Sequence, residues 1–393
     1  MKQSLFRCLL LMLIASTSIY AQRKQIYSKV FDVNAQTTAI FNLDDSSIVI
    51  EPSEDDKVHL NYDIEFDGFS KKEVDSLIDR VKVNATMFDN HISLKVNNIM
   101  KSHEYFTYNG TGSLFMDDLL KPKRVNKKDS IVRKLKDSIL REIRVKNNKK
   151  PLDSIGSWFK IKEENGKVKS LKELGSVKII NGRFVIKVPS FVKLTVNAKS
   201  SYITFFGEIN NELSVSLKHG KLNAQQLTNA NNKFKIEDAG FEVEELKNGN
   251  YTLNNISKGL IGSIYNTKIS SEFSKIEIGE IQLNTTIIDF KSEYWFYNWA
   301  INFKRFDLYS QYSKIHYFYP KSDYSLKVVG NNTVNHIGKT KITMQPTRNG
   351  KKFNMMERKP RGEGIFAGTM SFDIVHGVIY SHDDSVTFIN KEN

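Results

Sequence analysis

The sequence predicts an all-β chain wound as a single β-solenoid, with one small helical insertion. Two observations predict it. Strand-like runs alternate apolar and polar residues at period two, and from Val177 onward these runs recur at a nearly constant interval. Aligning SSYITFF at 200, HGKLNAQQL at 219, AGFEVEEL at 239, SKGLIGSI at 257, FSKIEIGEI at 273, SEYWFYNW at 292 and YSKIHYFY at 312 gives steps of 19, 20, 18, 16, 19 and 20 residues. Each unit opens on a small or polar pair and then offers alternating apolar positions, such as Leu222 and Ala224 or Ile276 and Ile278. A second short strand precedes it, as in Leu213, Val215 and Leu217. Two strands and two turns per period of about 19 residues make one coil, which buries its inward face only by stacking on others. A β-sandwich is the rival, since strands roughly 8 to 12 residues apart also suit it; the lack of long crossover connections favours the solenoid.

Residues 1–21 read as an export signal. Lys2 and Arg7 precede an apolar run, Cys8 to Ile14, too short to span a bilayer, and small and polar residues lead to a cut after Ala21. The only cysteine, Cys8, lies in that leader, so the mature chain must be held by a core and not by disulfides. Residues 22–99 carry strands and one helix: Val58, Leu60, Tyr62, Ile64 and Phe66 alternate strictly, and Ser70 with Glu73 makes a capping box ahead of Val74, Leu77, Ile78 and Val81. His91 to Val96 alternates again.

Residues 100–176 are a basic helical insertion. Of the net charge of +14, +10 lies between Lys121 and Lys150, where 13 Lys and Arg meet only Asp129, Asp137 and Glu142. Ile131, Leu135, Ile139 and Ile143 stand four apart and predict an amphipathic helix over 129–145 that lays one stripe on the solenoid. The basic excess is local, so no nucleic-acid partner is expected. Residues 177–329 are the coils, and 330–393 supply final coils or a cap over the last open edge. No run approaches the ~20 apolar residues of a membrane helix.

The start FDVNAQTTAIFNLDDSSIVIEPSEDDKVHLNYDI, followed by serial short strands such as LSVSLKHGKLNAQQL and FSKIEIGEIQL, resembles the adhesin-like (head-GIN type) domain of exported Gram-negative bacterial proteins. The resemblance spans about 27–98 and 177–380 and rests on strand grammar, not on catalytic signatures. It implies a β-solenoid and an adhesin-like role, and brings no catalytic residues. The basic insertion departs from it, as do Ser, Asn or Tyr at bends where Gly more often stands.

Chemistry-bearing motifs are sparse. No GxSxG, Walker loop, GxGxxG or EF-hand loop is present, and no cofactor is expected. His376, His382, Asp383 and Asp384 could offer metal ligands, but a turn between end strands explains them better. Glu242 and Glu244 alternate with Phe241 and Val243 and face solvent, as edge-protecting acids do. Lys221, Lys275 and Lys314 occupy one place in their coils, with Tyr294 between the last two, and would suit an acidic sugar.

The run EYWFYNWAINFKRFDLYSQYSKIHYFYP holds twelve aromatics between Tyr294 and Tyr319. Aligning Ile315 and Tyr317 with Trp295 and Tyr297 sends Trp295, Tyr297 and Trp299 inward, and leaves Tyr294, Phe296, His316 and Phe318 outward. Those four, with Lys221, Lys275 and Lys314, form the candidate binding surface, to be covered by the insertion, a protein partner or a glycan. The expected function is a non-enzymatic adhesin-like, binding or structural protein of the envelope, periplasmic, surface-bound or secreted. The alternative is a lyase or hydrolase acting on acidic polysaccharide.

Overall fold

The computed structural model describes residues 22–67, 69–97, 106–107, 113–114, 179–322, 324–336, 352–359 and 368–382. The export signal, the helix expected over 129–145, and Asp383 and Asp384 lie outside them.

The chain runs through β1 (Gln22–Asp32), β2 (Thr38–Asn42), β3 (Ser47–Pro52), β4 (Lys57–Asp67), helix α1 (Lys71–Ile78), β5 (Lys82–Phe88) and β6 (His91–Asn97). After the short ribbon of β7 (Phe106–Thr107) and β8 (Ser113–Leu114) it returns in β9 (Ile179–Val188). Three long strands follow, β10 (Lys193–Ile209), β11 (Leu213–Leu227) and β12 (Lys233–Lys247), each a bent coil. Later coils split in two at the same bend: β13 (Asn250–Asn254) with β14 (Gly259–Tyr265), β15 (Thr267–Glu272) with β16 (Lys275–Ile281), β17 (Asn284–Phe290) with β18 (Glu293–Trp299), and β19 (Arg305–Gln311) with β20 (Lys314–Phe318). The last elements are β21 (Tyr324–Asn331), β22 (Val334–His336), β23 (Lys352–Lys359), β24 (Gly368–Val375) and β25 (Val378–His382).

From β10 to β20 each coil bonds to the next in parallel and in register. This parallel ladder is the solenoid and excludes the sandwich, whose sheets are antiparallel. Period-two alternation then places like residues in columns. Leu222, Phe241, Gly259, Ile276, Tyr294 and Ile315 succeed one another inward on the second half of the coils, and all are buried. Val215, Phe234, Tyr251, Ile269 and Ile287 do the same on the first half.

The bend is as regular as the strands. Ten coils turn on one non-glycine residue of positive φ: Asp45, Ser200, His219, Asp238, Asn255, Phe273, Lys291, Tyr312, His376 and Asn332. A small buried residue follows in many coils, and its hydroxyl satisfies the neighbouring coil's backbone. Ile256 N donates to Ser274 Oγ at 3.0 Å, Ser274 N to Ser292 Oγ at 3.0 Å, and Ser292 N to Ser313 Oγ at 3.2 Å. The tight corner therefore leaves no orphaned N–H at these positions.

Both ends are stitched out of sequence. Strands β24 and β25 slot between the β19–β20 coil and the outermost β21–β22 coil, with β23 closing antiparallel on β21. At the other end β2 and β3 lie between β10 and a coil made of β6 and β9, which the insertion interrupts at its bend. Antiparallel strands β5, β4 and β1 finish that end, with α1 started by the Ser70–Glu73 capping box. A terminal coil stitched from segments distant in the chain resists peeling away one turn at a time, and among the described residues β1, β5, β22 and β23 are left paired on one side only. No helix among the described residues is long and apolar enough to cross a membrane.

Candidate functional site

The outward face of the second half-coils presents three parallel columns of side chains. One column carries Lys221, Lys275, Glu293 and Lys314; the next carries Thr204, Asn223, Glu242, Leu260, Glu277, Trp295, His316 and Tyr380. The third includes Gln225, Glu244, Gly262, Gly279 and Tyr297, and ends on Phe318 opposite His382.

This register corrects the expected orientation of the aromatic run. Tyr294 and Phe296 are 0% exposed and belong to the core, so they cannot belong to a binding surface. Trp295 and Tyr297 face outward and are half-buried, while Trp299 does point inward. The cause is a one-residue slip: Tyr294 pairs with Ile315 and Phe296 with Tyr317, because Lys291 takes the bend and Ser292 restarts the alternation inward. Aligning Ser274, Ser292 and Ser313 in the sequence would have found it. Glu293, not Tyr294, consequently separates Lys275 from Lys314.

His316 and Phe318 do face away from the core, yet they are 6% and 7% exposed because other rings cover them. Trp295 stacks on His316 at 3.8 Å and 2°, His316 on Tyr380 at 4.6 Å, and Tyr380 on His336 at 4.8 Å. Stacked in this way, the rings occupy one another's faces along the solenoid axis and show solvent mainly their edges. The stack thus covers His316 and Phe318, while Trp295 and Tyr380 stay half-buried. His316 Nδ1 and His382 Nε2 lie 3.0 Å apart, within hydrogen-bonding distance, and His316 Nε2 is buried without a hydrogen-bond partner among the described residues. His376 is the bend residue between β24 and β25.

Burial, followed by the charges of Lys314 and His382, lowers the His316 pKa to about 4. An unfolded histidine titrates near 6.5, so between those values the unfolded chain takes up a proton that the folded one refuses. Stability should therefore fall as pH drops from about 6.5 to about 4, and His316→Phe, which keeps the stack, should flatten that fall. Urea midpoints of both proteins at several pH values across this range check it; parallel curves would refute it.

The lysine column is largely engaged. Lys221 Nζ lies 2.7 Å from Glu242 and Lys275 Nζ 3.9 Å from Glu293, while Lys314 Nζ sits 5.6 Å from the Tyr380 ring centre. Burial pushes the Glu293 carboxyl up, but the Trp295 N–H bond at 2.9 Å and the charges of Lys314 and Lys275 outweigh it and hold the group below its ordinary value. The three lysines thus share a column as expected, although their charge is answered within the fold.

What the sequence did not suggest is a groove. Across the coils of β10 to β18, a cavity of about 580 Å³ is lined by the outward residues Thr204, Asn223, Gln225, Glu242, Glu244, Glu277 and Tyr297, with the apolar side chains of Phe206 and Leu260 among them. Glycine permits it: a Cβ on Gly262 would stand 2.4 Å from Glu244 O, and one on Gly279 2.5 Å from Gly262 O. Tyr297 Oη donates to Glu277 Oε2 at 2.9 Å and closes one end. Among the described residues, no group of three or more His, Cys, Asp or Glu is placed to hold a metal.

No family model matches the chain, and no curated protein matches it. Two solved structures are similar over most of its length. One is described as a "putative cell adhesion protein" from Clostridium sporogenes, at 11% identity and a TM-score of 0.17, covering 92% of this chain and 100% of that one. The other is described as a "putative adhesin" from Bacteroides fragilis, at 10% identity and a TM-score of 0.27, covering 91% of this chain and 97% of that one. At these scores neither assigns a family or a ligand to the chain.

Proposed function

We propose that the protein is an exported, non-enzymatic, adhesin-like binding protein of the cell envelope, and that its groove takes an extended glycan chain. The observation that carries this is the groove itself. It runs along the solenoid axis, and five of its six coils offer an amide, carboxylate or hydroxyl group, at the ~4.8 Å spacing of neighbouring strands, while the β14 coil offers Leu260 and Gly262 instead. A polymer of hydroxyl-rich units lying along the axis meets polar groups on either side of that apolar step, which suits the C–H face of a sugar.

Chemistry is less well served by the same residues. A lyase acting on acidic sugar needs a base ready to accept a proton. Tyr297 already donates to Glu277, and burial together with that carboxylate pushes its pKa up, the wrong direction for a base. Glu242 accepts from Lys221 and Glu277 from Tyr297, so both carboxylates are committed as acceptors, whereas a glycosidase acid must carry a proton.

Titration calorimetry of residues 22–393 against neutral glycan oligomers tests the proposal, compared with the Tyr297→Ala, Glu242→Ala double variant. Wild-type binding that the variant weakens at least about tenfold is expected. No binding to any glycan, or new reducing ends accumulating in polysaccharide incubated with the protein, would overturn it.

A further inference from the structure

The bend column carries a feature that neither the groove nor the core explains. In seven of its ten coils the residue of positive φ is Asp, Ser, His or Asn. Most of these short polar residues visit that region comparatively readily. In three consecutive coils it is Phe273, Lys291 and Tyr312, with φ of 49°, 55° and 59°. Bulky residues are poorly suited to that conformation, and an asparagine there would be less strained. Exposure adds a second cost, since Phe273 is 54% and Tyr312 52% exposed. Strain and exposed apolar surface kept together at one place mark a functional surface.

The groups there form a unit. Phe273 and Tyr312 each meet Phe290 edge to face, at 5.7 and 5.9 Å, and Lys291 Nζ lies 5.6, 5.2 and 5.8 Å from the ring centres of Phe273, Phe290 and Tyr312. A cation is thus centred on three rings. Among the described residues Lys291 has no ion-pair partner, although the acid Glu272 adjoins Phe273 in sequence. Lys221 and Lys275 differ in this respect, each being paired with a glutamate.

We infer that this edge is a second, anion-selective glycan site, in which the rings of Phe273 and Tyr312 hold the C–H face of an acidic sugar while Lys291 takes its carboxylate. Charge complementarity selects an anion, and the rings select one with an apolar face. The site follows the bend, with exposed Ile288 and Tyr309 in the strands that lead into it. One lysine is too little for firm attraction to a lipid surface, while a cation held on exposed rings suits a single anionic unit. A linear polyuronate running along the axis meets successive coils in turn. This site goes beyond the neutral-chain reading of the groove.

The test uses residues 22–393, with immobilised alginate as the acidic polymer, dextran as the uncharged one, and phosphatidylglycerol-containing vesicles. Salt-sensitive binding to alginate but not to dextran is expected, with at least a tenfold loss in Lys291→Glu and little loss in Lys291→Arg. The Phe273→Asn, Tyr312→Asn variant should also lose binding while its Tm equals or exceeds the wild-type value, a signature that misfolding would not produce. The Tyr297→Ala, Glu242→Ala variant should bind alginate normally, so failure of the groove and failure of the edge are separable. Absent alginate binding, alginate binding unchanged in Lys291→Glu, or vesicle binding abolished by the same variants would each overturn the inference.

Discussion

Phe296→Ala is expected to lower the free energy of unfolding by about 3–5 kcal/mol, a cost typical of removing a buried phenylalanine from a packed core. Phe296 is fully enclosed, stacked with Tyr294 at 5.4 Å and meeting Phe306 edge to face at 5.0 Å. Phe306 in turn packs against Trp299 at 5.1 Å and Phe372 at 5.8 Å, so the cavity would open inside a network spanning three coils. Tyr297→Ala, one residue along, should cost less, about 1–2 kcal/mol, because that side chain is half-buried and loses one hydrogen bond together with its ring contacts to Trp295 and Phe318. Urea titrations of the pair measure the difference. Equal losses would mean that the alternation across β18 is not the one described.

Asp289→Ala should be similarly damaging, by about 3 kcal/mol, through a different mechanism. Asp289 is a carboxylate inside the solenoid, 4% exposed. Ser271 Oγ donates to it at 2.7 Å, Ser310 Oγ at 3.2 Å and Ser313 Oγ at 2.5 Å, and Tyr294 Oη, 2.7 Å from Ser271 Oγ, extends the chain by one more hydroxyl. Burial first, and the Asp289 charge second, push the Tyr294 pKa up, which keeps its hydroxyl a donor. Removing the carboxylate leaves Ser271 and Ser310 without this acceptor, while Ser313 Oγ can still donate to Gln311 O at 2.9 Å, and each unsatisfied group costs about 1–3 kcal/mol before relaxation. Asp289→Asn keeps an acceptor oxygen and should cost about half as much. Tryptophan fluorescence during urea unfolding reads both, Trp295 and Trp299 lying in the adjacent strand. An Asp289→Ala protein within about 0.5 kcal/mol of wild type would show that the network does not hold these coils together.

Much of this fold is legible in the sequence because a coil repeats a local rule. Ile276 and Ile278 alternate with Lys275 and Glu277, a bend follows, and the pattern starts again. The candidate surface was less legible, and the aromatic run shows why. Where every residue from Tyr294 to Tyr297 is aromatic, hydrophobicity does not distinguish the two faces, and a one-residue slip exchanges them all. The residue after the bend carries the register instead, as Ser292 and Ser313 do, since it is buried and in most coils small, Ile256 being an exception. The groove was illegible for another reason: it depends on Gly262 and Gly279 lying next to a neighbouring backbone, a contact between coils that no spacing within one coil announces.

By itself the sequence determined the class of architecture, the length of a coil, and the inward residues wherever apolar and polar positions alternate, because these follow from period-two geometry and the need of each coil to bury a face. Only the tertiary structure decided that the outward rings of Trp295, His316 and Tyr380 cover one another, that Lys291 stands over three rings, and that Lys221 is paired with Glu242. It also decided that β24 and β25 enter between coils formed earlier in the chain. The physical reason is common to all four: each is a relation between neighbouring coils, set by parallel pairing of segments roughly 20 or more residues apart, and local alternation does not encode the partner.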